Sequence, residues 1–174
     1  KAVSLIDSID SSITSNITLV TIRRNLKAVL GQFAQYEICY GNMFHTQESS
    51  YNIVSTGFTI EGITETVYLA DEVINRDKGR IFFFTYTEGG TPNIIKKNAG
   101  TVDYMHGEVL IDTVNILSTS IANNVIEIQA IPHSNDIVGL RDLYVKFDMT
   151  NTTINMIPDL IASGENTSGS RFVH

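Results

Sequence analysis

The segment from Gly100 to Ile111 constrains the fold more than any other part of this chain. Two runs typical of strands, Thr101–Tyr104 and Glu108–Ile111, flank the short connection Met105–Gly107. A three-residue connection that ends in glycine fits a type I turn closed by a left-handed residue. Because glycine takes a positive φ without steric cost, the segment predicts a tight β-hairpin with Gly107 in the left-handed region.

The structural turn residues of this hairpin are predicted to be Gly100, Asp103 and Gly107. Asp103 and His106 straddle the turn, so their side chains can touch. One interpretation makes them an acid–base pair. The other has the Asp103 carboxylate accept hydrogen bonds from amides of the turn, a common use of aspartate in turns.

The composition indicates a folded domain dominated by β structure. Of the 174 residues, 43% are hydrophobic and 18% are charged, which is below the usual charged fraction of about a quarter. Isoleucine, valine and threonine are abundant and favour strands. We expect a mainly β or α+β domain with antiparallel sheets and hairpins and one or two short helices.

Periodicity divides the chain into three parts. Residues 1–34 are predicted to hold an N-terminal helix and the first strand, residues 35–150 a β-rich body, and residues 151–174 a partly mobile tail. The alternative is that all three parts belong to one domain of a longer chain. The more detailed predictions are a helix over 1–15, a helical turn over 25–33, a polar connection over 70–79, and strands over 17–24, 35–40, 51–60, 64–69, 80–86, 125–131 and 143–147.

The run Arg80–Tyr86 is apolar on both faces of a predicted strand. Such a strand is internal and covered on both sides, or one of its faces is buried only in an assembly. Alternate side chains point to opposite faces, so the run fits a core better than a platform for stacking sugars. Its candidate interface residues are Phe82, Phe83, Phe84 and Tyr86.

Charge and hydropathy argue against two classes of partner. The formal net charge is −7 and the longest basic runs are pairs, so neither a nucleic-acid backbone nor anionic lipid is expected as a partner. No apolar run reaches the roughly 18 residues needed to span a membrane, so no membrane insertion is expected. The single cysteine, Cys39, cannot form an internal disulfide and is expected to be a reduced, semi-buried thiol.

Local motifs for catalysis are missing from the sequence. The four histidines are scattered without metal-ligand spacing, and the chain has no nucleophile elbow and no phosphate-binding glycine loop. We therefore expect no enzymatic activity, no cofactor, no metal and no small-molecule substrate.

An ordered set of short segments resembles the baseplate wedge proteins of contractile-tailed bacteriophages, the baseplate J-like family. The matching segments, in family order, are Ile9–Ile13, Ile17–Val20, Tyr36–Asn42, Ser55–Phe58, Gly100–Tyr104 and Ile128–Asp136. The chain resembles the C-terminal part of the larger wedge subunit, which pairs with a second copy of itself in the inner ring.

The resemblance implies a structural protein of the virion. It implies self-pairing as a homodimer within a ring, contacts with other baseplate wedge subunits, and a location in the tail baseplate after assembly in the host cytoplasm. A different class of protein, a β-rich module of a tail fibre or adhesin that binds glycans, is the alternative left open.

Overall fold

The computed structural model describes residues 8–9, 20–46, 50–133, 150, 152–153 and 155. Nine strands and no helix lie in this part of the chain. The strands are β1 (Ile22–Lys27), β2 (Phe33–Cys39), β3 (Ile53–Ser55), β4 (Phe58–Ile60), β5 (Tyr68–Val73), β6 (Lys78–Tyr86), β7 (Pro92–Asp103), β8 (Glu108–Thr119) and β9 (Val125–Ala130).

All nine strands belong to one antiparallel, nearly closed sheet. The order is β1-β9-β3-β5-β6-β7-β8-β2, and β4 pairs with the C-terminal half of β8. The inward residues of these strands and of the connections between them form one large core, whose least exposed members include Phe44, Phe83, Tyr104 and Ile128. The mainly β fold expected from the composition is confirmed, but the described residues contain none of the short helices.

Two predictions near the N-terminus need correction. The helical turn over 25–33 is instead the end of β1, a turn at Gly31 with φ 69°, and the start of β2. The reason is tertiary: Leu26 is buried opposite Ile126 of β9, so the segment is held extended by a distant strand. Cys39, expected to be semi-buried, is exposed. The predicted helix over 1–15 lies almost wholly outside the described residues.

The predicted polar connection over 70–79 is also wrong. It contains the second half of β5 and the start of β6, which pair through Ala70↔Phe82 and Glu72↔Arg80. Its charged residues indicated a loop, but Asp71 is buried at 2% exposure among partners from other segments.

The hairpin is present, with a longer loop and longer strands than predicted. β7 and β8 are in register from Gly100↔Ile111 to Asp103↔Glu108, and the loop is Tyr104–Gly107, one residue longer than expected. Tyr104 leaves the ladder because its backbone N–H donates to Asp77 O at 2.8 Å and its carbonyl accepts from Phe44 N at 2.8 Å. Gly107 has φ 68°, which confirms the predicted left-handed residue.

Beyond Gly100 the two hairpin strands separate. β7 lies alongside β6 there, whereas β8, which is paired with β2 from Glu108 onward, keeps β2 as far as Asn115 and then pairs with β4. A Cβ atom on Gly100 would collide with the carbonyl oxygen of Leu110, so the close approach of the two strands at this point requires glycine. The predicted turn residue Gly100 therefore marks the base of a fork between β7 and β8.

The chain divides into two compact units, Lys1–Val138 and Gly139–His174, and every strand named here lies in the first. The boundary predicted after residue 34 falls inside β2, and β2 lies in the same sheet as β1. The predicted strand over 143–147 lies outside the described residues, and so does most of the predicted tail over 151–174.

Candidate functional site: an aromatic surface on the outer sheet face

The aromatic run on β6 is divided between the two faces of the sheet. Phe83 points into the main core and is fully buried. Phe82 and Phe84 point the other way and form a second cluster with Ala70 and Tyr68 of β5. This division follows from the period of two along a strand, since neighbouring residues face opposite sides.

Five aromatic residues form what we call the outer aromatic surface: Tyr51, Tyr68, Phe82, Phe84 and Tyr86. Tyr51 stands edge-on to Phe82 with ring centroids 5.5 Å apart. Tyr68 stacks on Phe84 at 5.7 Å and meets Tyr86 edge-on at 5.0 Å. These are favourable ring geometries, each contributing about 0.5–1.5 kcal/mol beyond the area that it buries.

The outer aromatic surface is covered at its centre and open at its ends. Phe82 and Phe84 are each 3% exposed, whereas Tyr51 is 44% and Tyr86 is 52% exposed. Val54, opposite Ala70, and Ile94, opposite Phe84, extend the apolar area and are 37% and 52% exposed. The result is an apolar surface with two half-exposed tyrosines, a composition enriched in protein interfaces.

A charged pair borders this surface on the same sheet face. Arg80 precedes Phe82 by two positions, and its Nε lies 2.8 Å from Glu72 Oε2. Both side chains are partly exposed, and the Arg80 Nε–H does not point at the carboxylate, so this is a charge contact rather than a directed hydrogen bond. The pair contributes little to stability, as exposed ion pairs generally do.

The predicted interface residues therefore have different positions. Phe83 faces the core, Phe82 and Phe84 form the covered centre of the outer surface, and only Tyr86 presents a large exposed area. Sequence reasoning missed Tyr51 and Tyr68. The alternation of Tyr68 with Ala70 could have indicated that Tyr68 belongs to this surface. Tyr51 lies before β3, and no sequence pattern around it indicates its position.

Two of the predicted turn residues, Asp103 and Gly107, lie at the tip of the β7–β8 hairpin, whereas Gly100 lies within β7 opposite Ile111. The Asp103 carboxylate accepts from the His106 backbone N–H at 2.9 Å and lies 3.0 Å from His106 Nδ1. Hydrogen bonds from His106 hold the pKa of Asp103 below its usual value, and the bond to Asp103 raises the pKa of His106. Each partner thus stabilises the charged form of the other, which is the behaviour of a turn cap.

A buried carboxylate lies beneath the same hairpin. Asp71 accepts hydrogen bonds from the backbone N–H groups of Asn52 and Ile53, both at 2.8 Å, and from the Asn52 side-chain amide at 3.2 Å. The Tyr104 hydroxyl donates the fourth at 2.7 Å. Burial, reinforced by the Asp71 charge, raises the pKa of Tyr104, so its hydroxyl remains a donor.

An open cleft of about 410 Å³ occupies the fork between β7 and β8. Phe83 forms part of its wall, Phe33 stands at 69% exposure, and the Lys96 amine lies 5.9 Å from the centroid of the Phe83 ring. The wall also contains Asn115, whose Nδ2 donates to Glu61 Oε2 at 3.1 Å. The lining mixes one cation, one anion and apolar groups without a nucleophile activated by a neighbouring base.

The described part of the chain contains neither a metal-binding cluster of three or more ligands nor a membrane-spanning helix. No cluster of three or more histidine, cysteine, aspartate or glutamate residues there is suited to hold a metal ion. No helix there has the length and apolar character to cross a bilayer.

No family model matches this chain, and no match was found among curated proteins or solved structures.

Proposed function

We propose that this chain is a structural subunit of the baseplate wedge of a contractile phage tail, where it pairs with a second copy of itself and contacts other wedge proteins. The ordered motifs from Ile9 to Asp136 that resemble the family support this role. The observation that carries it is the outer aromatic surface, an apolar area on the sheet face opposite the main core.

The half-exposed tyrosines suit a contact between proteins. Tyr51 and Tyr86 are held by edge-on contacts with Phe82 and Phe84, so little side-chain entropy is lost when a partner covers them. A tyrosine ring supplies a large apolar area, and its hydroxyl keeps a polar partner at the rim. Such residues are common among those that dominate binding energy.

Self-pairing makes the surface sensitive to single substitutions. In a two-fold contact the same patch is presented by both copies, so one substitution changes the interface twice. An obligate interface is expected to bury on the order of 2,000 Å² or more, with aromatic residues central and charges such as Arg80 and Glu72 at the rim.

Sedimentation equilibrium across micromolar concentrations tests the pairing. We expect Tyr86→Ser to weaken self-association about tenfold or more, and Tyr51→Ser to act in the same direction. Phe33→Ser is the matched control, because it removes an exposed aromatic ring that belongs to a different surface. A strictly monomeric chain, or an equal loss with Phe33→Ser, contradicts self-pairing through this face.

An electron-microscopy reconstruction of the parent tail tests the wider role. The expected result is this sheet in the inner baseplate ring, with the outer aromatic surface covered by a second copy or by another wedge subunit. Finding the chain in a tail fibre, or finding both tyrosines facing solvent in the ring, contradicts the proposal.

A glycan-binding module of a tail fibre or adhesin is the second candidate. The half-exposed side chains of Tyr51 and Tyr86 favour it, since sugars stack on aromatic faces and bond to hydroxyls. Glycan-array binding that disappears with Tyr51→Ser and Tyr86→Ser, in a chain that sediments as a monomer, replaces the structural role with this one.

A further inference from the structure

We propose that His45 and His133 form a two-histidine site for a divalent transition metal ion. Their ring centroids are 6.5 Å apart and the ring planes are inclined by 36°. Neither residue belongs to the outer aromatic surface or to the hairpin turn, and the proposal does not depend on the proposed function.

The backbone brings the two histidines together. The His45 N–H donates to Ile131 O at 2.8 Å, and the His133 N–H donates to Met43 O at 2.9 Å. These paired bonds fix the segment 43–45 antiparallel to the segment 131–133. The register is therefore set by main-chain groups rather than by the imidazoles themselves.

Both rings lie on the same face of this small ladder. Phe44 and Pro132 are bridge partners, and both are buried. The residues next to them along each strand point the other way, which places His45 and His133 on the outer face as diagonal neighbours. Side chains in diagonal positions across antiparallel strands are close enough for rings to interact.

The distance between the rings suits a shared ion after a small adjustment. With metal–nitrogen bonds of about 2.0–2.1 Å, two imidazoles on one tetrahedral ion have centroids about 5 Å apart. His45 is partly exposed and His133 is exposed, so side-chain rotation can close the remaining difference without moving the backbone.

The ligand chemistry selects the class of ion. Neutral imidazole binds Cu²⁺, Ni²⁺ and Zn²⁺, whereas Mg²⁺ and Ca²⁺ prefer oxygen ligands. No cluster of three or more candidate ligands exists among the described residues, so this part of the chain supplies two protein ligands and leaves the other positions to water. We therefore expect Cu²⁺ to bind more tightly than Zn²⁺ or Ni²⁺, in the order usual for nitrogen ligands.

Isothermal titration calorimetry of the whole chain with each metal chloride in a non-chelating buffer tests the site. The expected result is one saturable ion per chain for Cu²⁺, Ni²⁺ and Zn²⁺ and none for Mg²⁺. His45→Ala and His133→Ala are each expected to lower the affinity at least tenfold. His106→Ala is the matched control and keeps full affinity, since His106 is an exposed residue of the β7–β8 turn.

A second measurement covers the case in which a variant does not fold. Ring ¹⁵N resonances of the unsubstituted protein, followed during addition of Zn²⁺, are expected to shift for His45 and His133 together and to remain fixed for His106. Absence of saturable binding, unchanged affinity in folded His133→Ala, or a Zn²⁺-dependent shift confined to other histidines overturns the proposal.

Discussion

Asp71 and Asp103 both bind residues of the β7–β8 turn, but burial gives them different roles. Asp71 is 2% exposed and accepts four hydrogen bonds, one of them from Tyr104. The Asp103 side chain is 30% exposed and binds His106, the residue at 73% exposure in the same turn. The first carboxylate holds distant segments together, whereas the second caps a loop in solvent.

The difference in burial matters because water can replace the hydrogen bonds of Asp103 but not those of Asp71. If Asp103 is lost, solvent can reach the exposed amide and imidazole that it bonds. If Asp71 is lost, the donors of Asn52, Ile53 and Tyr104 lose the carboxylate that accepts from them. Water cannot easily replace it, because the position of Asp71 is buried. A buried donor without an acceptor costs about 1–3 kcal/mol.

The largest predicted effect is that of Asp71→Ala. We expect it to lower the free energy of unfolding by about 3–5 kcal/mol, because several buried donors lose their partner at once. Urea unfolding measures the loss. Asp112→Ala, at an exposed position of β8, is the control and is expected to change stability by less than about 0.5 kcal/mol. Similar small losses in both variants would show that burial does not increase the contribution of an aspartate to the free energy of unfolding.

The next effect is predicted for Gly107→Val, at the end of the β7–β8 turn. A Cβ atom there would collide with the Asn42 carbonyl oxygen, and φ is 68°. The strained backbone and the collision together are expected to cost about 2–4 kcal/mol. Gly62→Val isolates the backbone part, because Gly62 has φ 84° and open space around it. Equal costs at both glycines would mean that the contact with Asn42 relaxes freely.

A smaller loss is predicted for Tyr104→Phe. This variant removes only the hydroxyl that donates to Asp71, and a hydrogen bond to a charged group contributes about 1.5–3 kcal/mol. Tyr86→Phe is the control, since its ring is half-exposed and solvent can replace the partner of its hydroxyl. A double-mutant cycle with Asp71→Ala should give a coupling energy of the same size, and strict additivity would refute a direct bond.

The smallest predicted effect is a pH dependence of stability from Asp103 and His106. The pKa of His106 is raised above 6.5 in the folded state, so its stabilising contribution is complete below that pH and is lost as pH rises through the folded value. The pKa of Asp103 is lowered below 3.8, so its contribution is complete above 3.8 and is lost as pH falls through the folded value. The pair is therefore most stabilising between 3.8 and 6.5.

Unfolding midpoints at about pH 5.5 and about pH 8.5 test this dependence. The unsubstituted protein is expected to lose more stability between the two pH values than His106→Gln does. A parallel loss in His106→Gln would assign the dependence to other groups and would leave the turn without a measurable charge contribution.

The sequence alone predicted the tip of the hairpin because its determinants are local. Gly107 and the alternating residues beside it specify a turn without reference to the rest of the chain. The role of Asp71 could not be predicted in this way. Asp71 accepts hydrogen bonds from Asn52, Ile53 and Tyr104, which lie far from it in sequence. Without those partners, the charged pair Asp71-Glu72 indicates a loop.

The same distinction applies to the outer aromatic surface. The opposite orientation of Phe82 and Phe83 follows from strand periodicity, but the contribution of Tyr51 depends on the packing of a distant segment. The N-terminal half of β7 was not predicted. Residues 92–98 do not pair with β8 and are largely exposed, so they show no alternation of apolar and polar residues. The turn before β9 did have a signal, Asn123-Asn124, and both residues have positive φ.

The pairing of β1 with β9 sets a limit on how soon this sheet can be completed. Arg23 of β1 bonds Glu127 of β9 across 104 positions of sequence, whereas the β7–β8 hairpin closes within one short loop. Contacts of such long range make folding slow, because the entropy of closing the chain must be lost before the contacts form. At about 5–20 residues per second on a ribosome, β1 emerges roughly 5–20 s before its partner. During that interval β9, which pairs with β1 in the described part of the chain, is not yet available, and the nascent chain is most open to pairing with the wrong strand.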